Sequence, residues 1–423
     1  MVKELIYKEA TEEGILMKSR ERVIKALNHE EPDRIPKDFG MATGTGIHGI
    51  AHRKLMNYLG FHGPTKLWNP TLVWSDVDQS ILEKFEIDFM RITKPVNNWI
   101  AEVYPDKEEY LVPEDFQTEE LKDGSRVLMY KNFAAYKREA NGYWYEPEYR
   151  PLKDATLKDL KDFSWDPPYG YFLCPDKNEA KNSFKGIREL AKHWYENSEL
   201  ALVGWFGGSI FEPAQALRGL EQFFIDTIKN QGFIEGLLDK LVDVNKEYAK
   251  YYLEAVGDYV QVIIVGGEDL GSQGRMQINP ETYRKLVKPR HKELWQFIKK
   301  NTNAKLLVHS CGYIEPIIGD LIEAGIDIIN PVQISAGMNA KSIKEKFGKE
   351  VSFWGGGCSV QKTLPFGTTD DVEKEVKERV RVLAPGGGFV FCAEQSIQMD
   401  IPPENIVALY DAAKKYGNYP VSY

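Results

Sequence analysis

A histidine and a cysteine one residue apart, His309 and Cys311, follow an apolar run in AKLLVHSCG. Thiolate is a soft ligand and imidazole a borderline one, and a strand breaking into a loop can turn both toward one ion, so the pair suits Zn²⁺. Catalytic zinc commonly keeps about three protein ligands and an open position. Cys392, Cys358 and Glu394, each close to the end of another apolar run, are the candidates for the third ligand. The same thiols would also serve as small core residues, with His309 a hydrogen-bonded strand-end histidine. Glu268 and Asp269 follow two glycines and precede LGSQG, a placement that suits carboxylates held toward a ligand; capping the next turn is the competing role. His48 and His52, four apart, share one face if a helix runs through both, which would allow a metal pair or a substrate contact. Trp205, Gln333, Glu394 and His48 are the candidate substrate contacts. At Gly355 to Gly357, close backbone approach to a ligand competes with a plain tight turn. Cys174, followed by proline and distant from the other cysteines, reads as a structural or surface thiol.

What must position these residues is a parallel sheet. From about residue 200 the chain repeats one pattern: an apolar β-type run, a glycine-rich or polar turn, then an amphipathic helical stretch. The strand candidates are 201–206, 259–266, 304–310, 326–332, 351–356 and 389–393, with 34–40 and 85–93 earlier in the chain. Continuous hydrophobicity is what a strand shows when helices cover one face and other strands fill the other. The count closes near eight, giving an α/β fold of the (β/α)₈ barrel type, and the reactive residues then lie at the C-terminal strand ends where such barrels place their sites. A doubly wound open sheet is the competing architecture, but no GxGxxG turn opens a helix after an early strand. The whole chain, 1–423, is expected to form one barrel domain with an N-terminal extension and an inserted subregion at 95–170, rich in Tyr, Glu, Asp and Pro.

Composition narrows the function. Of 423 residues, 43% are hydrophobic and 28% charged, and no apolar run approaches a membrane span. The N-terminal stretch mixes charges too densely for a secretory signal, so a cytoplasmic location with reduced thiols is expected. Four cysteines are too few for a disulfide framework in a chain of this length. A net charge of -9 without a basic cluster argues against nucleic acid as a partner.

The run SRERVIKALNHEEPDRIPKDFG, together with LLVHSCGYIEPIIGDLIEAGIDIINPVQ, FWGGGCSVQKTLPFGT and GGGFVFCAEQSIQMDIPPENIVALYDAAKKYG, resembles the uroporphyrinogen decarboxylase superfamily over nearly the whole chain outside 95–170. The resemblance implies a (β/α)₈ barrel with its active site in a deep cleft at the C-terminal strand ends. The superfamily divides into decarboxylases and methyltransferases that exchange methyl groups with a corrinoid on a partner protein. Decarboxylases of this kind carry an arginine-rich segment after the first strand, where cations meet substrate carboxylates; DFGMATGTGIHGIAHRKL here lacks those arginines. The zinc methyltransferases use a His-x-Cys pair, matched by His309 and Cys311, and a distant cysteine. At that last position this chain has Gln395, with Cys392 three residues earlier, so Cys392 or Cys358 would complete the site. The strand that supplies a further acidic ligand in those enzymes here ends in Gln333.

The resemblance therefore implies a corrinoid-dependent methyltransferase in which Zn²⁺ activates a small methylated substrate: a methoxylated aromatic, a methylamine or a thiol. Glu268 or Asp269 would position the substrate or handle its proton. The cobalamin would arrive on a separate corrinoid protein, since no DxHxxG-type motif occurs in the chain. A homodimer is compatible with this reading. Two others stand beside it: a metal-free decarboxylase or lyase using Asp269, and a non-catalytic corrinoid-binding subunit.

Overall fold

The computed structural model describes residues 17–130, 133–163 and 177–421. The N-terminal stretch up to residue 16 and Cys174 lie outside the described residues. Seven parallel strands form one curled sheet in sequence order: β1 (Phe89–Ile92), β2 (Ala201–Trp205), β3 (Val262–Gly267), β4 (Lys305–His309), β5 (Ile328–Asn330), β6 (Ser352–Trp354) and β7 (Phe389–Val390). The eighth position is taken by the segment around Lys37. Phe391 N–H donates to Pro36 O at 2.8 Å, Asp38 N–H to Phe391 O at 2.9 Å and Asp88 N–H to Lys37 O at 3.0 Å, so this segment bridges β7 and the start of β1. The chain is thus an α/β barrel, as the alternation of apolar runs and helical stretches predicts.

Several strands are shorter than the apolar runs that announce them. The run at 259–266 enters the sheet only at Val262, because Tyr259 and Val260 still donate to Val256 O at 3.0 and 3.2 Å and finish the preceding helix. That helix, Gln231–Val256, is followed around the barrel by Lys288–Lys299, Ile318–Ala324, Ala340–Phe347, Thr369–Leu383 and Pro403–Tyr416. A capping box between Thr368 and Asp371 starts the helix Thr369–Leu383, satisfying otherwise orphaned N–H groups. Every residue of β5 and β6 is buried, which explains the lack of polar alternation in their sequences.

Residues 99–147 form two antiparallel sheets outside the barrel: Trp99–Val103 with Glu109–Pro113, and the four strands Thr118–Glu120, Arg126–Tyr130, Phe133–Arg138 and Glu146–Pro147. They share a separate apolar cluster containing Tyr104, Tyr110, Phe116 and Tyr145. Among the described residues no helix is long and apolar enough to cross a membrane.

At the base of β1 the fully buried carboxylate of Asp88 closes the barrel's N-terminal end. It accepts from Arg22 Nη1 at 2.7 Å, from Arg34 Nη1 at 2.7 Å and from Lys37 N–H at 2.8 Å, joining the helix Ser19–Leu27 and the closing segment to β1. Removing one partner from a buried charge network leaves the others uncompensated. Asp88→Ala is therefore expected to lower unfolding free energy by about 3–5 kcal/mol, measured by urea denaturation; a loss below about 1 kcal/mol would show that the network does not hold the closure.

Candidate metal centre

The centre is built where β3, β4 and β5 end side by side. The register pairs His309 with Asn330 on β5 and with Gly267 on β3. Asn330 Nδ2 donates to Trp354 O on β6 at 3.0 Å, which turns its Oδ1 toward His309 Nδ1, 2.6 Å away. Nδ1 therefore carries the proton, and Nε2 keeps its lone pair, as a metal-binding imidazole requires. Nε2 lies 3.0 Å from Cys311 Sγ and 3.7 Å from Asp269 Oδ1. Cys311 N–H donates to that same oxygen at 2.8 Å. One ligand atom from each of Asp269, His309 and Cys311 lies within 4.8 Å of the others.

Neighbouring backbone and side chains hold this geometry. Gln333 Oε1 accepts from Gly312 N–H at 2.7 Å, fixing the turn after Cys311. Gln395 Nε2 donates to Cys311 Sγ at 2.7 Å. Gly44 lies against the centre from the other side at φ +67°; a Cβ there would come within 2.5 Å of His309 Cε1 and 2.8 Å of Gln395 Oε1. Only glycine permits that approach with that backbone.

The electrostatics favour a cation. Burial, followed by the Asp269 and Glu212 carboxylates, pushes the Cys311 thiol well above its ordinary value. Glu212, in the first turn of the helix Phe211–Arg218, is likewise raised by burial and then by Asp269 and Glu268. A divalent ion would turn these mutual repulsions into attractions. Carboxylate oxygen, imidazole nitrogen and thiolate sulfur in one set fit Zn²⁺, with the cavity beside them leaving room for a further ligand. That cavity, about 960 Å³, is lined by Glu212, Asp269, Gln215 and Met276 among others.

The residues singled out from sequence fall into different places. Beside His309 and Cys311 the structure brings Asp269, not a second thiol. Cys392 is buried inside the barrel beside Asp38, and Cys358 Sγ lies 3.5 Å from Glu375 Oε2, so both thiols point away from the cluster. Glu268 is not free to act on a ligand: fully buried, it accepts from Ile210 N–H at 2.6 Å and Phe211 N–H at 2.8 Å, capping the helix that carries Glu212. Glu394 Oε2 accepts from Ser335 N–H at 3.2 Å. His48 caps the helix Gly49–Tyr58 through Nδ1, 3.2 Å from Ile50 N, while His52 lies inside that helix with Nε2 3.4 Å from Asp78. Burial lowers both rings to about 4. They do not share a ligand cluster among the described residues. Trp205 Nε1 donates to Met41 O at 3.1 Å, and its ring meets Trp68 edge-on at 4.9 Å. The glycines at 355 and 356 pack against neighbouring loops, near Ala393 O and Val332 O, rather than against an open ligand site.

Glu212 and Gly44 escaped the sequence reading. Glu212 could have been found as the first charged residue after the end of β2; Gly44 carries no chemical signal of its own.

The model of the family described as uroporphyrinogen decarboxylase (URO-D) matches residues 173–416. A uroporphyrinogen decarboxylase of Vesicomyosocius okutanii subsp. Calyptogena okutanii (strain HA) is 22% identical over 279 residues, 64% of this chain and 72% of that protein. One from Pseudoalteromonas atlantica is 22% identical over 255 residues, 58% of this chain and 66% of that protein. Among solved structures, a methyltransferase from Methanosarcina mazei has the same fold, with a TM-score of 0.57 and 20% identity over 95% of this chain and 99% of that one.

If Asn330 sets the tautomer of His309, Asn330→Ala should weaken Zn²⁺ binding about 10- to 100-fold, measured by competition with a chromogenic chelator. Unchanged affinity would show that the imidazole is oriented by other means.

Proposed function

The chain belongs to the uroporphyrinogen decarboxylase family, and from that premise we propose that it is a zinc-dependent methyltransferase exchanging a methyl group between a small methylated substrate and a corrinoid carried by a partner protein. One observation carries the reading: a carboxylate, an imidazole and a thiol, Asp269, His309 and Cys311, converge within 4.8 Å beside a cavity at the C-terminal ends of the barrel strands. The Methanosarcina protein of like fold is a methyltransferase, and carrying that activity over to this chain is part of the proposal.

Asp269, His309 and Cys311 would hold the ion. When bound, Zn²⁺ supplies a Lewis acid that makes a methylated heteroatom a better leaving group or keeps a thiol ionised. The chain does the rest. Asn330 holds a proton on His309 Nδ1 and keeps Nε2 aimed at the cluster. Gln395 Nε2 donates to the Cys311 sulfur and spreads its negative charge. Gln333 and Asp269 pin the loop through the N–H groups of Gly312 and Cys311. The proton-handling role that the sequence offers to Glu268 or Asp269 passes to Glu212, which lines the cavity while Glu268 is spent on capping.

A decarboxylase acting on a polycarboxylate is the less favoured reading. In the run 38–55 Arg53 is paired with Asp106 at 2.9 Å and Lys54 donates to Met399 O at 2.9 Å, and just before it Arg34 and Lys37 pair with Asp88 and Glu86 at 2.7 and 3.0 Å. That run leaves no arginine for substrate carboxylates.

Methyl exchange between a corrinoid and a panel of methyl ethers, amines and thioethers, followed by corrinoid absorbance, tests the activity. Dipicolinate should abolish it and added Zn²⁺ restore it, and Cys311→Ser should lower the rate by at least about 100-fold. Activity that survives metal removal would overturn the zinc mechanism in favour of metal-free chemistry.

A further inference from the structure

Two arginines reach the cavity beside the metal centre without an ion-pair partner. Arg150 and Arg275 both line it, both are exposed, and among the described residues neither is held by a carboxylate. Glu146 shares the lining but lies beyond ion-pair reach of either. Arg218, at the end of the helix that carries Glu212, is paired instead, 2.7 Å from Asp226.

Arg275 is rigidly mounted. It sits on the hairpin formed by Gly271–Ser272 and Arg275–Met276, whose backbone is locked to the loop carrying Cys311. A Cβ on Gly271 would lie 2.4 Å from Cys311 O, and one on Gly312 the same distance from Gly271 C, so the two chains touch at glycines on both sides. Tyr313 N–H donates to Ser272 O at 3.0 Å, and Gly274 N–H to Ala336 O at 2.9 Å. The spacing between the Arg275 backbone and the loop that carries Cys311 is therefore set by backbone contact. Arg150 lays its stem over Gly219, which joins the two helices flanking the cavity at φ +85°.

The cavity carries charge of both signs. Asp269 and Glu212 supply acid at the metal centre and Glu146 on the wall, Arg150 and Arg275 supply positive charge, and Leu220, Phe224 and Met276 give apolar surface. Gln215 Nε2, on the helix face that carries Glu212, is buried and lacks a hydrogen-bond partner. Unpaired guanidinium forks suit a carboxylate, which they can bind bidentately, and the apolar wall suits a neutral body, which leaves the metal centre to a neutral heteroatom.

We infer that Arg150 and Arg275 form a carboxylate clamp, and that the substrate is a small monocarboxylate with an apolar body whose methylated heteroatom faces Asp269, His309 and Cys311. This deepens the methyltransferase reading and rests on it for the role of the far end.

The test is calorimetric titration of the full zinc-loaded chain, at low ionic strength, with 4-methoxybenzoate and with the uncharged 4-methoxybenzamide. The acid is expected to bind at least about tenfold more tightly than the amide. Arg150→Ala and Arg275→Ala should each remove most of that difference while leaving the melting temperature unchanged, and Arg275→Lys should keep part of it. Equal binding of acid and amide, no binding of either, or an affinity for the acid that ignores both arginine changes overturns the clamp. Binding is read without turnover, so the two claims fail separately. Carboxylate-dependent binding without methyl transfer sinks the proposed activity and leaves the clamp, whereas methyl transfer with affinity blind to the carboxylate does the reverse.

Discussion

The hydrogen bond between His309 Nδ1 and Asn330 Oδ1, 2.6 Å long, is the contact on which the rest of the site depends. It links the ends of adjacent parallel strands and is itself oriented from the next strand, where Trp354 O accepts from the Asn330 amide. Three neighbouring barrel strands thus decide which nitrogen of one imidazole carries a proton. Without that decision Nε2 would not be a dependable donor beside Cys311 and Asp269. The barrel supplies what a loop could not: backbone positions whose spacing is fixed by a hydrogen-bonded sheet.

The cost of this arrangement is electrostatic. Two carboxyl groups and a thiol are held together at the edge of a buried core, where burial and the Asp269 carboxylate make ionisation of Glu212 and of the Cys311 thiol harder. The chain offsets part of this cost with backbone and side-chain amide donors. Glu268 receives two N–H groups from the helix that presents Glu212, Asp269 receives the Cys311 N–H, and Gln395 donates to the sulfur. What remains uncompensated is the negative character of the cluster, which a divalent cation would complete.

Much of the scaffold was legible in the sequence because buried parallel strands are written as continuous apolar runs between glycine-rich turns, and those runs located β2 to β7. His309 and Cys311 were legible for a simpler reason: two ligands one residue apart need no knowledge of the fold to be paired. Their partner was harder. Asp269 becomes the neighbour of His309 only through the register that sets Gly267 beside it, and register is invisible in a single chain. The same limit explains the cysteines. Cys392 and Cys358 follow strands at the correct end of the barrel, yet a side chain's direction alternates from one residue to the next, and theirs face Asp38 and Glu375. Glu268 and Asp269 are adjacent, so their pattern could not tell that one caps a helix and the other meets the thiol.

Which atoms bind the ion decides the chemistry of the centre most directly. X-ray absorption at the zinc edge, on the full chain loaded with one equivalent of Zn²⁺, reads the donor set without any assumption about substrate. It should show a single sulfur at about 2.3 Å with nitrogen and oxygen completing the shell; the sulfur should vanish in Cys311→Ser and persist in Cys392→Ser. Two sulfurs in the wild type, or one that survives the loss of Cys311, would contradict the centre formed by Asp269, His309 and Cys311.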